Sequence, residues 1–292
     1  MLQEGLHSRS GLVRKGCALV LRGPKRLARQ WARDDDFARM PPVLANSFPK
    51  SGTHLLDQIV AALPDRRNFG SFLASQTSSF QFRLRSESET CALVRELVPG
   101  ELIRGHLWHS PGVATALRAM HAVHYLILRD PRDVVVSEAH YLRTGNRWHK
   151  LHPYFRDAES LGDAITLCIR GLDHVAPELG FYDVGRRVAQ FEGWLGREDV
   201  CQLRFEELIS EGRNEAIKRM IRFYEASAQG QIDVDRLCRR MEESILPDKS
   251  HTFRSGKSGD WRTVFSDSHR KLFKSVAGSA LVRLGYENSD NW

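Results

Sequence analysis

A short segment of lysine, hydroxyl and glycine residues could bind an anion. It reads Phe48-Pro49-Lys50-Ser51-Gly52-Thr53-His54. The apolar run 43–48 before it predicts a strand, and the apolar spacing in 53–63 predicts a helix. A helix N-terminus offers free backbone N–H groups and a positive dipole end, and Lys50 adds a mobile charge. The segment therefore predicts a phosphate or sulfate site, although taken alone it also fits an ordinary strand-to-helix turn.

The loop differs from that of the nucleoside triphosphatases. Its lysine precedes the glycine, and the GxxxxGK[ST] spacing is absent. This argues against most kinases.

Further strand-like runs alternate with helical patterns. Residues 123–128 precede a helix expected to begin near Asp133, and residues 200–205 precede one expected over 206–224. Such alternation predicts an α/β fold, a single domain with a central parallel β-sheet flanked by helices. Ligands of these sheets lie at the carboxyl ends of the strands, where the loops above fall. We assign 41–292 to this domain and 1–40 to a basic, partly mobile N-terminal arm, with a helix expected around 22–39.

Composition narrows the function further. The chain has 292 residues and a formal net charge of +7, which is typical of proteins with anionic partners. Five scattered cysteines without CxxC pairing predict a reducing compartment and no metal site. The apolar stretch 17–21 is too short for a secretory core of about 7–15 residues or a span of about 20. We therefore expect a cytoplasmic enzyme without a membrane span.

Three separated segments together resemble the sulfotransferase family that uses 3′-phosphoadenosine 5′-phosphosulfate (PAPS). Pro49-Lys50-Ser51-Gly52-Thr53 looks like its 5′-phosphosulfate loop, which is P-loop-like. Arg129-Asp130-Pro131-Arg132-Asp133-Val134-Val135-Val136-Ser137 looks like its 3′-phosphate segment. Arg254-Ser255-Gly256-Lys257-Ser258-Gly259-Asp260-Trp261 is similar to its C-terminal loop. The resemblance runs from about residue 43 to 265 and implies PAPS as co-substrate, 3′-phosphoadenosine 5′-phosphate (PAP) as product, and no metal.

The resemblance also implies two catalytic residues. Lys50 corresponds to the lysine that stabilises charge on the leaving phosphate, a form of electrostatic catalysis. His106 ends the apolar run 102–107 and matches the family's histidine, which suits a general base near neutral pH. His109 is the alternative base.

The remaining cofactor-binding residues are implied in the same way. Arg129 and Ser137 match the 3′-phosphate ligands, although Arg129 could instead form an ion pair with Asp130 or Asp133. Phe205 matches an aromatic that stacks on adenine, or it is a core residue, and Leu55 stands where relatives often carry an aromatic. The full predicted set is Lys50, Ser51, Gly52, Thr53, His54, Arg129, Ser137, Phe205, Arg254, Ser255 and Gly256. Ser255 departs from the family, which often has a second basic residue there, and Lys257 is the candidate substitute.

The predicted partner is a small-molecule acceptor: an alcohol, phenol, sugar or amine. We expect the segments 64–100 and 141–181 to be variable loops over its site, and we expect no nucleic-acid partner. A homodimer is compatible with these features. Two other functions stay open: a catalytically inactive nucleotide- or polyanion-binding protein of the same fold, and a small-molecule kinase.

Overall fold

The sheet of the computed structural model is entirely parallel. The structure describes residues 2–6, 8, 10–228, 231–246 and 256–292. The strands are β1 (Val43–Ser47), β2 (Arg67–Ala74), β3 (Glu101–His106), β4 (Val123–Leu128) and β5 (Val200–Arg204). They pair in the order β2-β3-β1-β4-β5. This confirms the predicted α/β domain with a central parallel sheet.

Helices connect the strands and cover both faces of the sheet. The first eight are α1 (Leu2–Leu6), α2 (Gly11–Val20), α3 (Arg22–Trp31), α4 (Asp34–Arg39), α5 (Thr53–Ala61), α6 (Glu87–Arg95), α7 (Pro111–Ala119) and α8 (Pro131–His140). The others are α9 (His152–Arg156), α10 (Leu161–Arg170), α11 (Val184–Glu192), α12 (Phe205–Leu208), α13 (Arg213–Ser227), α14 (Val234–Glu243), α15 (Trp261–Val264) and α16 (Asp267–Arg283). A π-helical turn, Tyr141–Gly145, continues α8, and a 3₁₀ turn spans Pro177–Leu179.

Strand alternation divides the core into two layers. Val43 and Ala45 of β1 pack with residues of α5, α13 and α14, whereas Leu44 packs with residues of α7, α8, α10, α11 and α16. Because both faces are covered, the central strands β1 and β4 are mainly apolar and almost fully buried. The polar residues of the site lie at the carboxyl ends of the strands.

Several elements differ from the sequence-based expectation. The single helix expected over 206–224 is two helices, α12 and α13, separated at residues 209–212. The Ser210 hydroxyl donates to the Glu207 carbonyl and accepts from the Gly212 N–H. At this break, side-chain hydrogen bonds therefore compete with the backbone bonds of a continuous helix. The helix expected around 22–39 is likewise two helices, α3 and α4. The segments 64–100 and 141–181 were expected to be loops, but the first contains β2 and α6 and the second contains α9 and α10.

The N-terminal helices pack against the edge strand β2. Leu6 and Ala18 lie beside Gly70, whose φ is +73°, and a Cβ there would come within 2.6 Å of Leu6. Lys25 of α3 forms an ion pair of 2.7 Å with buried Glu101. Within the described residues, no helix is long and apolar enough to cross a membrane.

Candidate active site

Three strand ends meet at the predicted phosphate loop. The loop follows β1, His106 is the last residue of β3, and Arg129 follows β4. Since β3 and β4 are the two neighbours of β1, the sheet brings these distant residues to one edge. This is the position at which parallel α/β sheets bind ligands.

Backbone conformations that few residues adopt shape the loop. The Ser51 N–H donates to the Phe48 carbonyl at 3.1 Å, with Pro49 second in the turn and Lys50 third at a φ of +66°. A positive φ at the third position is typical of a type II turn, where glycine is usual. Lysine there is a strained residue of the kind that functional sites retain.

The loop glycine has no space for a side chain. Gly52 has a φ of +100°, and a Cβ there would lie 2.7 Å from Cδ2 of Phe205. Next to it, the Ser51 hydroxyl is fully buried and has no hydrogen-bond partner in the described structure. Buried polar groups normally have partners, so this hydroxyl and the N-terminus of α5 fit an anionic ligand.

Lys50 is held beside an aromatic ring. Its ammonium lies 4.2 Å from the ring centroid of Tyr141, the first residue of the π-helical turn. This cation–π contact positions the charge near the loop. The same charge contributes to lowering the pKa of His106.

His106 has the tautomer that a base requires. Its Nδ1 lies 2.9 Å from the Ser47 carbonyl oxygen, which only accepts hydrogen bonds, so Nδ1 donates and Nε2 keeps its lone pair. Burial, together with a smaller effect of the Lys50 charge, lowers its pKa to about 4 against the opposing effect of the Ser47 hydrogen bond. The side chain is therefore neutral at pH 7. The Phe72 ring packs edge-on against it, with 5.1 Å between centroids.

Two polar residues at the end of β1 were missed from the sequence. The Ser47 hydroxyl lies 2.7 Å from the Thr53 hydroxyl and 3.1 Å from His106 Nδ1, so it links the loop to the histidine. Asn46 is fully buried, and its side chain bonds both the N–H and the carbonyl of Leu107, which fixes the end of β3. The signal available in the sequence was a pair of polar residues at the end of a buried apolar strand.

His109 lies in a different environment. Its ring packs edge-on against Trp194, 4.7 Å between centroids, and its backbone N–H donates to the Gln190 carbonyl. Burial and the charge of Arg197 lower its pKa. His109 thus contacts Trp194 and α11, whereas His106 contacts Ser47 at the end of β1.

Arg129 connects the loop side of the site to the C-terminal segment. One of its terminal nitrogens donates to the Lys257 carbonyl at 2.8 Å and lies 3.7 Å from the carboxylate of Asp133. The guanidinium also lies 4.7 Å from the Phe205 ring centroid, and its buried Nε has no partner in the described structure. The ion pair considered as an alternative thus exists, yet a donor on Arg129 remains for a ligand.

Asp133 anchors the C-terminal loop. Its carboxylate accepts the N–H groups of Gly259 and Trp261 at 2.7 and 3.1 Å. Trp261 is buried, with the Arg132 guanidinium 3.8 Å above its ring. Asp133 was not among the predicted site residues, although it lies within the quoted motif.

The other predicted ligands have varied positions. Ser137 lies half-buried on α8, and Phe205 is a buried core residue that touches Gly52 and Arg129. His54 lies in the first turn of α5. Gly256 is described, with a φ of +61°, whereas Arg254 and Ser255 lie outside the described residues. In the described part of the chain, no group of three or more His, Cys, Asp or Glu could hold a metal ion.

Sequence comparison decides the family. The profile of the sulfotransferase domain matches residues 40–285. The chain belongs to the sulfotransferase family. A search of curated protein sequences finds no match.

Solved structures share the fold of this sulfotransferase-family chain. It is similar to mouse sulfotransferase SULT7A1 complexed with PAP, at 19% identity and a TM-score of 0.56, covering 86% of this chain and 85% of that chain. Retinol dehydratase in complex with androsterone and the inactive cofactor PAP, and with retinol and PAP, gives 15% identity and a TM-score of 0.53 in each case. These matches cover 87% of this chain and 83% of the other. The family match confirms the predicted enzyme class.

Proposed function

We propose that this sulfotransferase transfers a sulfuryl group from PAPS to a hydroxyl or amine of a small-molecule acceptor. The observation that carries the proposal is the contact of His106 Nδ1 with the Ser47 carbonyl at 2.9 Å, beside the loop that carries Lys50. It combines a neutral base with a cation at the end of the same sheet. These are the two groups that sulfuryl transfer to a hydroxyl needs.

His106 acts as the general base. Its Nε2 takes the acceptor proton, and the resulting imidazolium is stabilised by the hydrogen bond to Ser47. Lys50 stabilises the negative charge that grows on the leaving 5′-phosphate oxygen, and Thr53 and the α5 N-terminus hold that phosphate. PAPS itself supplies the sulfuryl group on a good leaving group, so positioning and charge stabilisation are the tasks left to the protein.

The donor site uses groups that lack internal partners. Ser51 Oγ supports binding of the 5′-phosphate, and Arg129 Nε supports binding of the 3′-phosphate. Phe205 lies between Gly52 and Arg129, and we assign it to the adenine site on the resemblance. We assign Ser137, His54, Gly256, Arg254 and Ser255 to the same site on the resemblance alone, and we propose that no metal is needed.

The acceptor is proposed to be an alcohol, phenol, sugar or amine that approaches His106 beside Phe72. The retinol and androsterone of a structural neighbour are alcohols, which makes hydroxyl compounds the first acceptors to test. We propose a cytoplasmic location because all five cysteines are free thiols, four of them buried. Homodimer formation and the absence of a nucleic-acid partner stay predictions.

The experiment is PAP release from PAPS with a panel of alcohols, phenols, sugars and amines, using His106→Asn and His109→Asn as a matched pair. We expect His106→Asn to lower kcat by about 10²–10⁴ with little change in PAP affinity, since it removes only the base. His109→Asn should retain most activity. Equal activity of the two variants would contradict His106 as base. If the wild-type protein binds PAP but releases none from PAPS with any acceptor, the inactive binding protein would be favoured.

A further inference from the structure

The net charge of the chain is concentrated at its N-terminus. Residues 1–33 contain eight Lys or Arg and one Glu, which gives +7, the same as the whole chain. Residues 34–292 contain 35 residues of each sign and are neutral. The proposed PAPS site lies in the neutral part, so donor binding does not explain this charge.

The same N-terminal helices expose large apolar side chains. Leu12, Leu19, Val20, Leu27 and Trp31 of α2 and α3 are all exposed, with Leu12 at 84% and Trp31 at 81%. Only Leu21, in right-handed helical conformation, separates the two helices. Spacings of seven, eight and four residues place these side chains on one side of a helical path.

Exposed cations border this apolar stripe. Lys15, Arg22 and Arg26 are exposed, and their helical positions follow one edge of it. We call the set Leu12, Lys15, Leu19, Val20, Arg22, Arg26, Leu27 and Trp31 the basic–apolar face.

The rest of the structure fixes which way this face points. Leu6 and Ala18 pack against Gly70 of β2, and Lys25 pairs with buried Glu101. These contacts use the inner side of α2 and α3 and leave the basic–apolar face in solvent.

We propose that the basic–apolar face docks the enzyme onto an anionic lipid bilayer, with α2 and α3 lying in the plane of the surface. Helices that bind in this way combine apolar side chains, often with tryptophan, and flanking Lys and Arg. The cations are attracted to anionic headgroups, while the leucines, Val20 and Trp31 enter the headgroup–acyl boundary. Each helix has ten residues, a length that suits binding at the bilayer surface but is too short to cross the bilayer.

Two other occupants fit less well. A second copy of the chain in a two-fold dimer would bring two segments of charge +7 face to face. A nucleic acid would neutralise the cations but would leave the apolar stripe in water. A bilayer is the partner that takes both the charge and the apolar side chains.

The experiment is co-sedimentation of the full chain with vesicles of phosphatidylcholine alone or containing about 30% phosphatidylserine. We expect binding to the anionic vesicles, weak binding to the neutral ones, and a strong decrease in about 0.5 M salt. Arg22→Gln/Arg26→Gln should bind about 25-fold more weakly, roughly fivefold for each cation. The control Arg236→Gln/Arg240→Gln removes two exposed cations with the same spacing on α14 and should bind like wild type.

The apolar contribution has its own matched pair. Leu27→Ser/Trp31→Ser should weaken vesicle binding about tenfold or more. Val175→Ser/Trp148→Ser removes side chains of equal exposure, 57% and 81% against 58% and 81%, outside the N-terminal helices, and should have no effect. Circular dichroism melts check that all variants fold.

Several outcomes would overturn the proposal. The full chain could fail to sediment with anionic vesicles, or it could bind neutral and anionic vesicles equally. The N-terminal and control variants could also weaken vesicle binding equally. Self-association in analytical ultracentrifugation that Leu27→Ser/Trp31→Ser abolishes would assign the face to a second copy. Binding of RNA that the Arg22→Gln/Arg26→Gln variant loses, without vesicle binding, would assign it to a nucleic acid.

Discussion

Lys50 occupies a backbone state that costs stability, and His106 one that costs stability only in acid; both states serve the proposed chemistry. Lys50 has a φ of +66°, a left-handed conformation that costs a non-glycine residue about 1–2 kcal/mol. His106 has its pKa lowered to about 4 by burial and by the charge of Lys50. The neutral imidazole near a cation is then available as a base across the physiological pH range.

Replacing Lys50 by glycine should separate stability from turnover. Glycine adopts positive φ without strain, so Lys50→Gly should be more stable to urea than Lys50→Met by about 1 kcal/mol. Both variants should lose about 10²–10³ in kcat, because neither supplies the charge for the leaving phosphate. Lys271→Met removes an exposed lysine of α16 and is the control for loss of a charge. Wild-type turnover by Lys50→Gly would contradict the assigned role.

The pH dependence of the rate should report the charge of Lys50. The base form of His106 persists down to about pH 4, so the acid limb of kcat/KM should lie near that value. In Lys50→Met the pKa of His106 should rise, because one cause of its lowering is removed, and the acid limb should move to higher pH. Histidine NMR titrations of both proteins measure the shift directly. An unchanged pKa of His106 would mean that Lys50 does not act on it.

At the scale of elements, the loop between β1 and α5 depends on packing from β5 and α12. Phe205 begins α12 and occupies the space beside Gly52, while Ser47 joins the loop to β3 through His106. The loop geometry is thus set by neighbouring strands as well as by its own residues.

Gly52→Ala should damage this element severely. The added Cβ would meet Phe205 at 2.7 Å while the backbone keeps a φ of +100°, so we expect the free energy of unfolding to fall by about 1–3 kcal/mol. PAP affinity should fall as well. Gly16→Ala in α2 is the control, because nothing lies within 4 Å of its Cβ, and it should add about 0.5–1 kcal/mol of stability. Unfolding in urea and PAP calorimetry measure both effects, and intact binding by Gly52→Ala would contradict the close packing.

The elements also show what the sequence alone could reveal. Residues 123–128 form β4 as predicted, because a continuous apolar run bounded by a charged turn is typical of a buried parallel strand. β2 was missed since it is an edge strand interrupted at Gly70, with a register shift between Asn68 and Phe72. The motif around Lys50 was recognisable from its local sequence. Ser47 and Tyr141, in contrast, join the site only through the sheet register and the π-helical turn.

Across the whole molecule, neutral histidines are buried in several places. Burial is the largest cause in each case, and it lowers the pKa of His106 and His149 to about 4 and that of His124 to about 3. In the unfolded chain these groups have ordinary values near 6.5. The folded state therefore binds fewer protons than the unfolded state between these values.

Stability should consequently fall in mild acid. The contribution of each histidine is fully present above about pH 6.5 and is lost as the pH falls towards its folded pKa, at a slope of up to about 1.4 kcal/mol per pH unit. Urea unfolding between pH 7 and pH 4.5 measures the slope. His149→Gln should reduce it, whereas replacing exposed His121 by Gln should not. A flat profile would show that the histidines are protonated in the folded protein.

The most direct test of the proposed donor site is calorimetric titration of the protein with PAP, compared with ADP and with ATP without magnesium. We predict tight binding of PAP that requires the 3′-phosphate, weak binding of ADP and ATP, and a large loss of PAP affinity in Arg129→Ala. Binding of ATP equal to or stronger than that of PAP, or no binding of PAP, would contradict the proposed donor.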